Sequence, residues 1–424
     1  MGSKIAKWKN HISPLKRHDF PVENIVQGKL KRELNLFDAT AIDIGAIIGA
    51  GIFVVIGQVA GVAGSGILLS ILLAGAIAYL TALSYAELSH RIPKEGGEYE
   101  FAYKVISHQA GFIDGFLWSA SNIVAGAVVS LGFASYFSLL FPVLPAKVIA
   151  VLILALMIVV NVIGLKSSSF INKALVVAKI SVLLFFILYG LGQVNMGNFS
   201  DPVESGWEAI ISGAGLMFFA FAGFGRVATV AEEVKDPRKT IPRAIMIALT
   251  ACTIIYFLTG FTAVGLVGTD ALSASSAPIA EAITHAGGRF AVILVSVGAL
   301  AATASVLLNE ILGVSRITFS MARNRQLPAL LTIIHPRFNT PWIAVILAGS
   351  LMAVLAWFVN MRQIIELSSF GLLGYYAITN LSAIMLKREE AGFPKLLKKS
   401  RALVGLLACL LLMAFLAISL LGGK

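Results

Sequence analysis

The segment Gly45-Ala46-Ile47-Ile48-Gly49-Ala50-Gly51-Ile52-Phe53 constrains this chain more than any other. It sets three glycines inside an apolar run, residues 36–62, that is long enough to cross a bilayer. Hydrocarbon offers no partner to an opened backbone, and each stranded N–H or C=O there costs several kcal/mol. A break is tolerated only where it faces protein or a watery cavity, so it marks a site. Half-helix ends aimed at a small ligand near the bilayer midplane are a device of membrane carriers. The expected ligand is a small zwitterion or anion.

The rest of the chain is read the same way. Of 424 residues 58% are apolar and 13% charged, and mean hydropathy is +0.88, which predicts an all-α polytopic membrane protein. Eleven spans are expected, at 36–62, 65–89, 109–140, 146–165, 170–192, 208–231, 242–267, 289–320, 341–360, 362–386 and 401–421. The first 33 residues lack the apolar core of a cleavable signal. Of the 33 lysines and arginines, 26 fall in the amino-terminal tail and the even-numbered loops. That asymmetry predicts a cytoplasmic amino terminus and, after eleven spans, an external carboxyl terminus.

The net charge of +11 does not point to nucleic acid, because the basic residues are spread over short loops without interleaved aromatics. Anionic lipid on the cytoplasmic side is the expected partner. Cys252 and Cys409 lie in apolar spans and lack metal-ligand spacing, so neither a metal nor a cofactor is expected.

Two five-span halves can be drawn, 36–192 and 208–386, after a tail at 1–35 and before a peripheral helix at 401–421. The first span of each half carries an interruption, and in the sixth it is Phe221-Ala222-Gly223-Phe224-Gly225-Arg226. Paired breaks of this kind are the best sequence pointer to a carrier's binding site. An odd number of spans per half inverts the second half relative to the first. Gly45-x-x-x-Gly49 spacing also serves close helix packing, and the matching break in span 6 favours the site reading.

These motifs resemble the APC superfamily of amino acid transporters over nearly the whole chain. Gly45 to Phe53 is similar to that family's first-span signature. Leu83-Ser84-Tyr85-Ala86-Glu87-Leu88, followed by Pro93 and Gly96-Gly97-Glu98-Tyr99, is similar to the end of its second span and the loop after it. Most specific is Phe218 to Phe224 running into Glu232-Glu233-Val234-Lys235-Asp236-Pro237 and Ile241-Pro242-Arg243-Ala244. The resemblance implies a LeuT-like 5+5 inverted repeat, alternating access and an amino acid substrate, nearest to the cationic amino acid transporter branch and its proton-coupled prokaryotic relatives. Two features depart from it. Family members usually have twelve spans, and many carry an acidic residue where this chain has Gly225-Arg226.

Backbone N–H groups at Gly49, Ala50 and Gly51, at a half-helix amino terminus, suit a substrate carboxylate. Carbonyls at Ile47, Ile48 and Phe219, Ala220, Phe221 and Ala222 suit its ammonium, and Gly223 completes the second break. Phe221 and Phe224 either close over the ligand or pack. Lys179 lies roughly 14 Å from the cytoplasmic end of span 5 at about 1.5 Å per residue, too deep to snorkel. An ionisable group there is functional by default. The resemblance implies that it replaces a sodium ion and couples protons, touching carbonyls near Gly45 or Ile48 and hydroxyls such as Thr303 or Ser305. Its alternative role is a fixed structural tether. Arg226 is expected to pair with Glu310 or Glu232, and Asp43 to line the inner vestibule.

The leading expectation is proton-coupled uptake of neutral amino acids across the cell membrane, with Arg226 opposing cationic side chains. Exchange, uniport or cationic amino acid transport are the alternatives within transport. A membrane amino acid sensor would want a soluble signalling domain, and an enzyme would want a paired nucleophile and base or a metal-spaced His cluster. Oligomeric state is left open.

Overall fold

The computed structural model describes residues 33–92, 97–164, 169–199, 201–386 and 399–422. The expected tail up to residue 32, the loop residues 93–96 and the basic loop 387–398 lie outside these. The described residues form helices α1 (Leu36–Ile47), α2 (Ile56–Ala63), α3 (Ile67–Arg91), α4 (Gly97–Val105), α5 (His108–Leu140), α6 (Ala146–Ile163) and α7 (Ser169–Leu191). The chain continues through α8 (Gly206–Phe221), α9 (Pro237–Ala274), α10 (Pro278–Ala286), α11 (Arg289–Arg323), α12 (Trp342–Phe358), α13 (Met361–Met385) and α14 (Lys399–Gly422). No strand is present among them; one isolated bridge joins Leu34 and Val234.

Eight helical stretches among the described residues are long and apolar enough to span a membrane. The first, Leu36–Arg91, contains two of the expected spans, and Trp342–Phe358 is a shorter apolar helix. This is a multi-pass, all-helical membrane protein. In the most apolar windows of Leu36–Arg91 and Gly206–Ala228, 78% and 72% of residues are buried, against 28% and 22% in α6 and α14. The two interrupted segments are therefore central, and α6 and α14 are peripheral. Large apolar side chains such as Leu152, Leu188 and Phe358 stay exposed, as a lipid-facing surface requires.

The first interruption has a local cause. α1 starts at a capping box in which the Asp38 N–H donates to Asn35 Oδ1 (3.1 Å) and the Asn35 N–H to Asp38 Oδ2 (3.0 Å). It stops at Ile48, whose ψ of 103° is extended, and resumes through a wide π-helical turn, Gly51–Val55, leading into α2. α8 stops at Ala222, which is extended at ψ 147°. Gly223 follows at φ +97°, a conformation that glycine adopts without a Cβ penalty. A 3₁₀ helix, Arg226–Glu233, then carries the chain on.

The two interrupted segments are joined at their near ends. Glu33 and Leu34 each donate a backbone N–H to the Glu233 carbonyl (3.0 Å), and Lys235 N–H donates to the Leu34 carbonyl (2.8 Å). Higher up, Gly51 lies directly against Ala220, with no room for a side chain between them.

Sequence reading did not anticipate α4 or α10 as separate helices. It also ended the seventh span near 267, whereas α9 runs to Ala274 across a break at Gly268 (φ +74°). Short amphipathic elements at a membrane edge lack the long apolar run by which spans are recognised.

Candidate functional site

The two breaks meet around a buried tyrosine. Tyr256 of α9 places its hydroxyl 2.8 Å from the Ile47 carbonyl and 3.0 Å from the Ala220 carbonyl, so its single proton serves the carbonyl ends of both half-helices. Its ring packs on Phe221 at 5.3 Å between centroids. Both rings are fully buried.

Lys179 of α7 is also buried, at 2% exposure. Its ammonium donates to the Gly45 carbonyl (3.0 Å) and the Ile48 carbonyl (3.1 Å), the last carbonyls before the break in α1. The hydroxyls expected beside it turn elsewhere. Thr303 donates to Ala299 and Leu300, and Ser305 to Ala302, all carbonyls of their own helix α11.

Asp43, on the inner half of the first interrupted segment, accepts the Val227 N–H at 2.8 Å. It thereby caps the start of the 3₁₀ helix beyond the second break. Its other oxygen has no hydrogen-bond partner. Arg226 pairs with Glu310 of α11, Nη2 to Oε1 3.4 Å, and its guanidinium lies over the Trp118 ring at 5.7 Å. Of the two acids expected for Arg226, Glu310 is thus a partner, and the Glu232 side chain lies outside the described ones. Tyr85 secures the loop between them by donating to the Gly225 carbonyl at 3.1 Å.

Two small cavities lie here. One is lined by Ala46, Ile47, Gly49, Ala50, Gly51, Phe219 and Ala222 from the breaks, and by Asn122, Ala125, Val129, Val306, Glu310 and Leu372 from helices packed around them. The second shares Asn122, Ala222 and Glu310, and adds Gly223, Gly225, Arg226, Trp118, Glu98, Tyr375 and Tyr376. Six of the ten residues expected at the substrate, Ile47, Gly49, Ala50, Gly51, Phe219 and Ala222, thus line the first cavity, and Gly223 lines the second. Ile48, Ala220 and Phe221 line neither: the Ile48 carbonyl is turned to Lys179, Ala220 meets Tyr256 and Gly51, and Phe221 packs on Tyr256. Phe224 is buried against Tyr376 at 4.8 Å. Sequence reading missed Tyr256, Asn122 and the aliphatic wall. A tyrosine and an asparagine deep in apolar spans were the available signal, since polar groups there need a partner.

Along the first cavity, Gly49, Ala50 and Gly51 at the start of one half-helix line the same space as Phe219 and Ala222 at the end of another, with an aliphatic wall beside them. That arrangement suits a small ligand with an anionic group, a donor group and an apolar portion.

The family profile described as amino acid permease matches residues 34–423. An uncharacterized transporter of Mycobacterium tuberculosis is 37% identical over 401 residues, 94% of this chain and 88% of the relative. The branched-chain amino acid permease BcaP of Bacillus subtilis is 31% identical over 393 residues, 87% of this chain and 84% of that one. Cationic amino acid transporter 9, chloroplastic, of Arabidopsis thaliana is 32% identical over 417 residues, 91% and 73%. The chain belongs to the amino acid permease family of the APC superfamily. It is a membrane transporter rather than an enzyme.

Proposed function

We propose that the chain is a secondary active transporter that accumulates neutral amino acids with protons by alternating access. Its eleven spans are read as two inverted five-span halves, 36–192 and 208–386, in a LeuT-like arrangement, with 401–421 as a peripheral helix. The lysine and arginine distribution supports a cytoplasmic amino terminus in the cell membrane, with anionic lipid against the basic loops.

The substrate carboxylate takes the N–H groups of Gly49, Ala50 and Gly51. Its ammonium takes carbonyls of the facing half-helix ends, and its side chain lies along Ala125, Val129, Val306 and Leu372. This aliphatic lining supports neutral substrates. The charge of Arg226 lends no such support, since Glu310 stands 3.4 Å away. The branched-chain substrate in the name of the Bacillus relative agrees with such a lining, whereas the cationic one of the Arabidopsis relative would call on Glu310.

The observation that carries the coupling is the Lys179 ammonium bridging two carbonyls at the α1 break. A hydrogen bond to a charged group contributes roughly 1.5–3 kcal/mol, so the charged lysine clamps α1 to α7. Loss of its proton releases the clamp and lets the first interrupted segment move. In the second reading, the same two carbonyls hold Lys179 permanently charged and the protein exchanges amino acids without protons. Proteoliposomes loaded at one pH and diluted into another separate the two. Leucine accumulation driven by an inward proton gradient, lost in Lys179→Ala while leucine exchange persists, supports coupling. Wild-type uptake indifferent to the gradient refutes it.

A further inference from the structure

The second cavity holds an excess of acid that the proposed transport cycle does not use. Glu98 of α4 lines its wall together with Glu310. Behind Glu98 on α5 is Asp114, fully buried, within electrostatic reach of Glu98 and with neither carboxylate oxygen hydrogen-bonded. Asp43, also fully buried, interacts with the same guanidinium from the α1 side. Among the described residues lining the cavity the only cation is Arg226, and it is shared by Glu98, Glu310 and Asp43.

The other titratable groups facing Glu98 are phenols. They are Tyr85 of α3, whose hydroxyl lies within electrostatic reach of the Glu98 carboxyl, and Tyr375 and Tyr376 of α13. On α4 itself Tyr99 turns to Gln326 and Asn324, and Glu100 pairs with Lys104 at 2.7 Å. Three buried carboxyls around one guanidinium, with Asp114 beside Glu98 as a fourth, cannot all be ionised in a low-dielectric interior, because each carboxylate without a cation of its own bears the full cost of leaving water.

We propose that Glu98, backed by Asp114, carries an exchangeable proton and forms a second proton site, separate from Lys179, in the α4 wall of the second cavity. Burial pushes the Glu98 carboxyl up to about 7, against its own backbone N–H, the Arg226 guanidinium and the Tyr85 hydroxyl. The proton therefore comes and goes in the physiological range. With Glu98 neutral, Glu310 holds Arg226 without that competitor, and the pair between the α8 break and α11 stays closed. When Glu98 ionises it competes with Glu310 for Arg226, and the pair loosens.

The test is pH-difference infrared spectroscopy on the full-length protein in lipid nanodiscs, with no amino acid added. A carboxylic C=O band that vanishes with a midpoint near neutrality, and that is absent in Glu98→Gln, supports the proposal. No carboxyl titrating within about two pH units of neutrality, or a band that Glu98→Gln leaves in place, overturns it. If Glu98→Gln does not insert, Glu98→Asp retains a titrating group at a changed position. It must shift the midpoint, and a wild-type midpoint in that variant also overturns the proposal. Because no substrate is present, the result is independent of whether amino acids are accumulated with protons.

Discussion

Replacement of Gly51 by alanine probes the contact between the two breaks. A methyl group at this position would meet the Ala220 Cα and stand 2.5 Å from the Ala220 Cβ. Carbon atoms pack at roughly 3.5–4.0 Å, so the interrupted segments must separate by about 1 Å. The obstacle is backbone and the stub of an alanine, which cannot swing aside as the end of a long side chain would. The cost therefore falls in the upper part of the overpacking range, about 2–3 kcal/mol. At about 1.4 kcal/mol per decade, that is a loss of roughly 30- to 140-fold in the conformation in which the breaks abut. Thermal unfolding of the purified protein and leucine uptake in proteoliposomes read the effect. Gly192→Ala is the control, since nothing lies within 4 Å of a methyl there. Gly51→Ala with wild-type uptake and melting temperature would refute both the close approach and its place in the site.

Tyr256→Phe keeps the ring against Phe221 and removes only the hydroxyl shared by Ile47 and Ala220. It should cost about 0.5–1.5 kcal/mol of stability and raise the KM for uptake, both measurable on one preparation. Arg226→Met strands the Glu310 carboxylate and should destabilise by about 3–5 kcal/mol, whereas Arg226→Met combined with Glu310→Leu should recover the share of that loss owed to this pair, read in thermal denaturation. Competition for uptake should rank leucine and alanine above arginine, lysine and glutamate. Inhibition by arginine alone would instead assign Glu310 to a cationic side chain.

The helical membrane class and both interruptions were legible in the sequence, because apolar run length and a glycine-rich gap are local signals. The lysine contact with Gly45 and Ile48 was also anticipated, through a resemblance carried by short motifs. The aliphatic wall from Ala125, Val129 and Leu372 was not legible. These residues lie on α5 and α13, far apart in sequence, and any lipid-facing valine or leucine has the same local pattern. Arg226 and Glu310 were visible as charges in spans, but their pairing depends on how α11 packs beside the α8 break. Asp114 went unremarked because it sits seven residues into α5, where a carboxylate reads as the solvated end of a span. Both α4 and α11 pack against that end of α5, where Gly111 meets Tyr103 and Gly115 meets Tyr99 and Met321.

The backbone tie between Leu34 and the segment around Val234 has a mechanical consequence. Together with the Asp43 cap on Val227, it yokes the roots of the two interrupted segments, so neither can tilt alone at that end. Relative motion has to develop higher up, between this coupled pair and the surrounding helices α5, α11 and α13. A staple across residues 34 and 234 should therefore leave the machine running, and one from the α8 break to α11 should stall it.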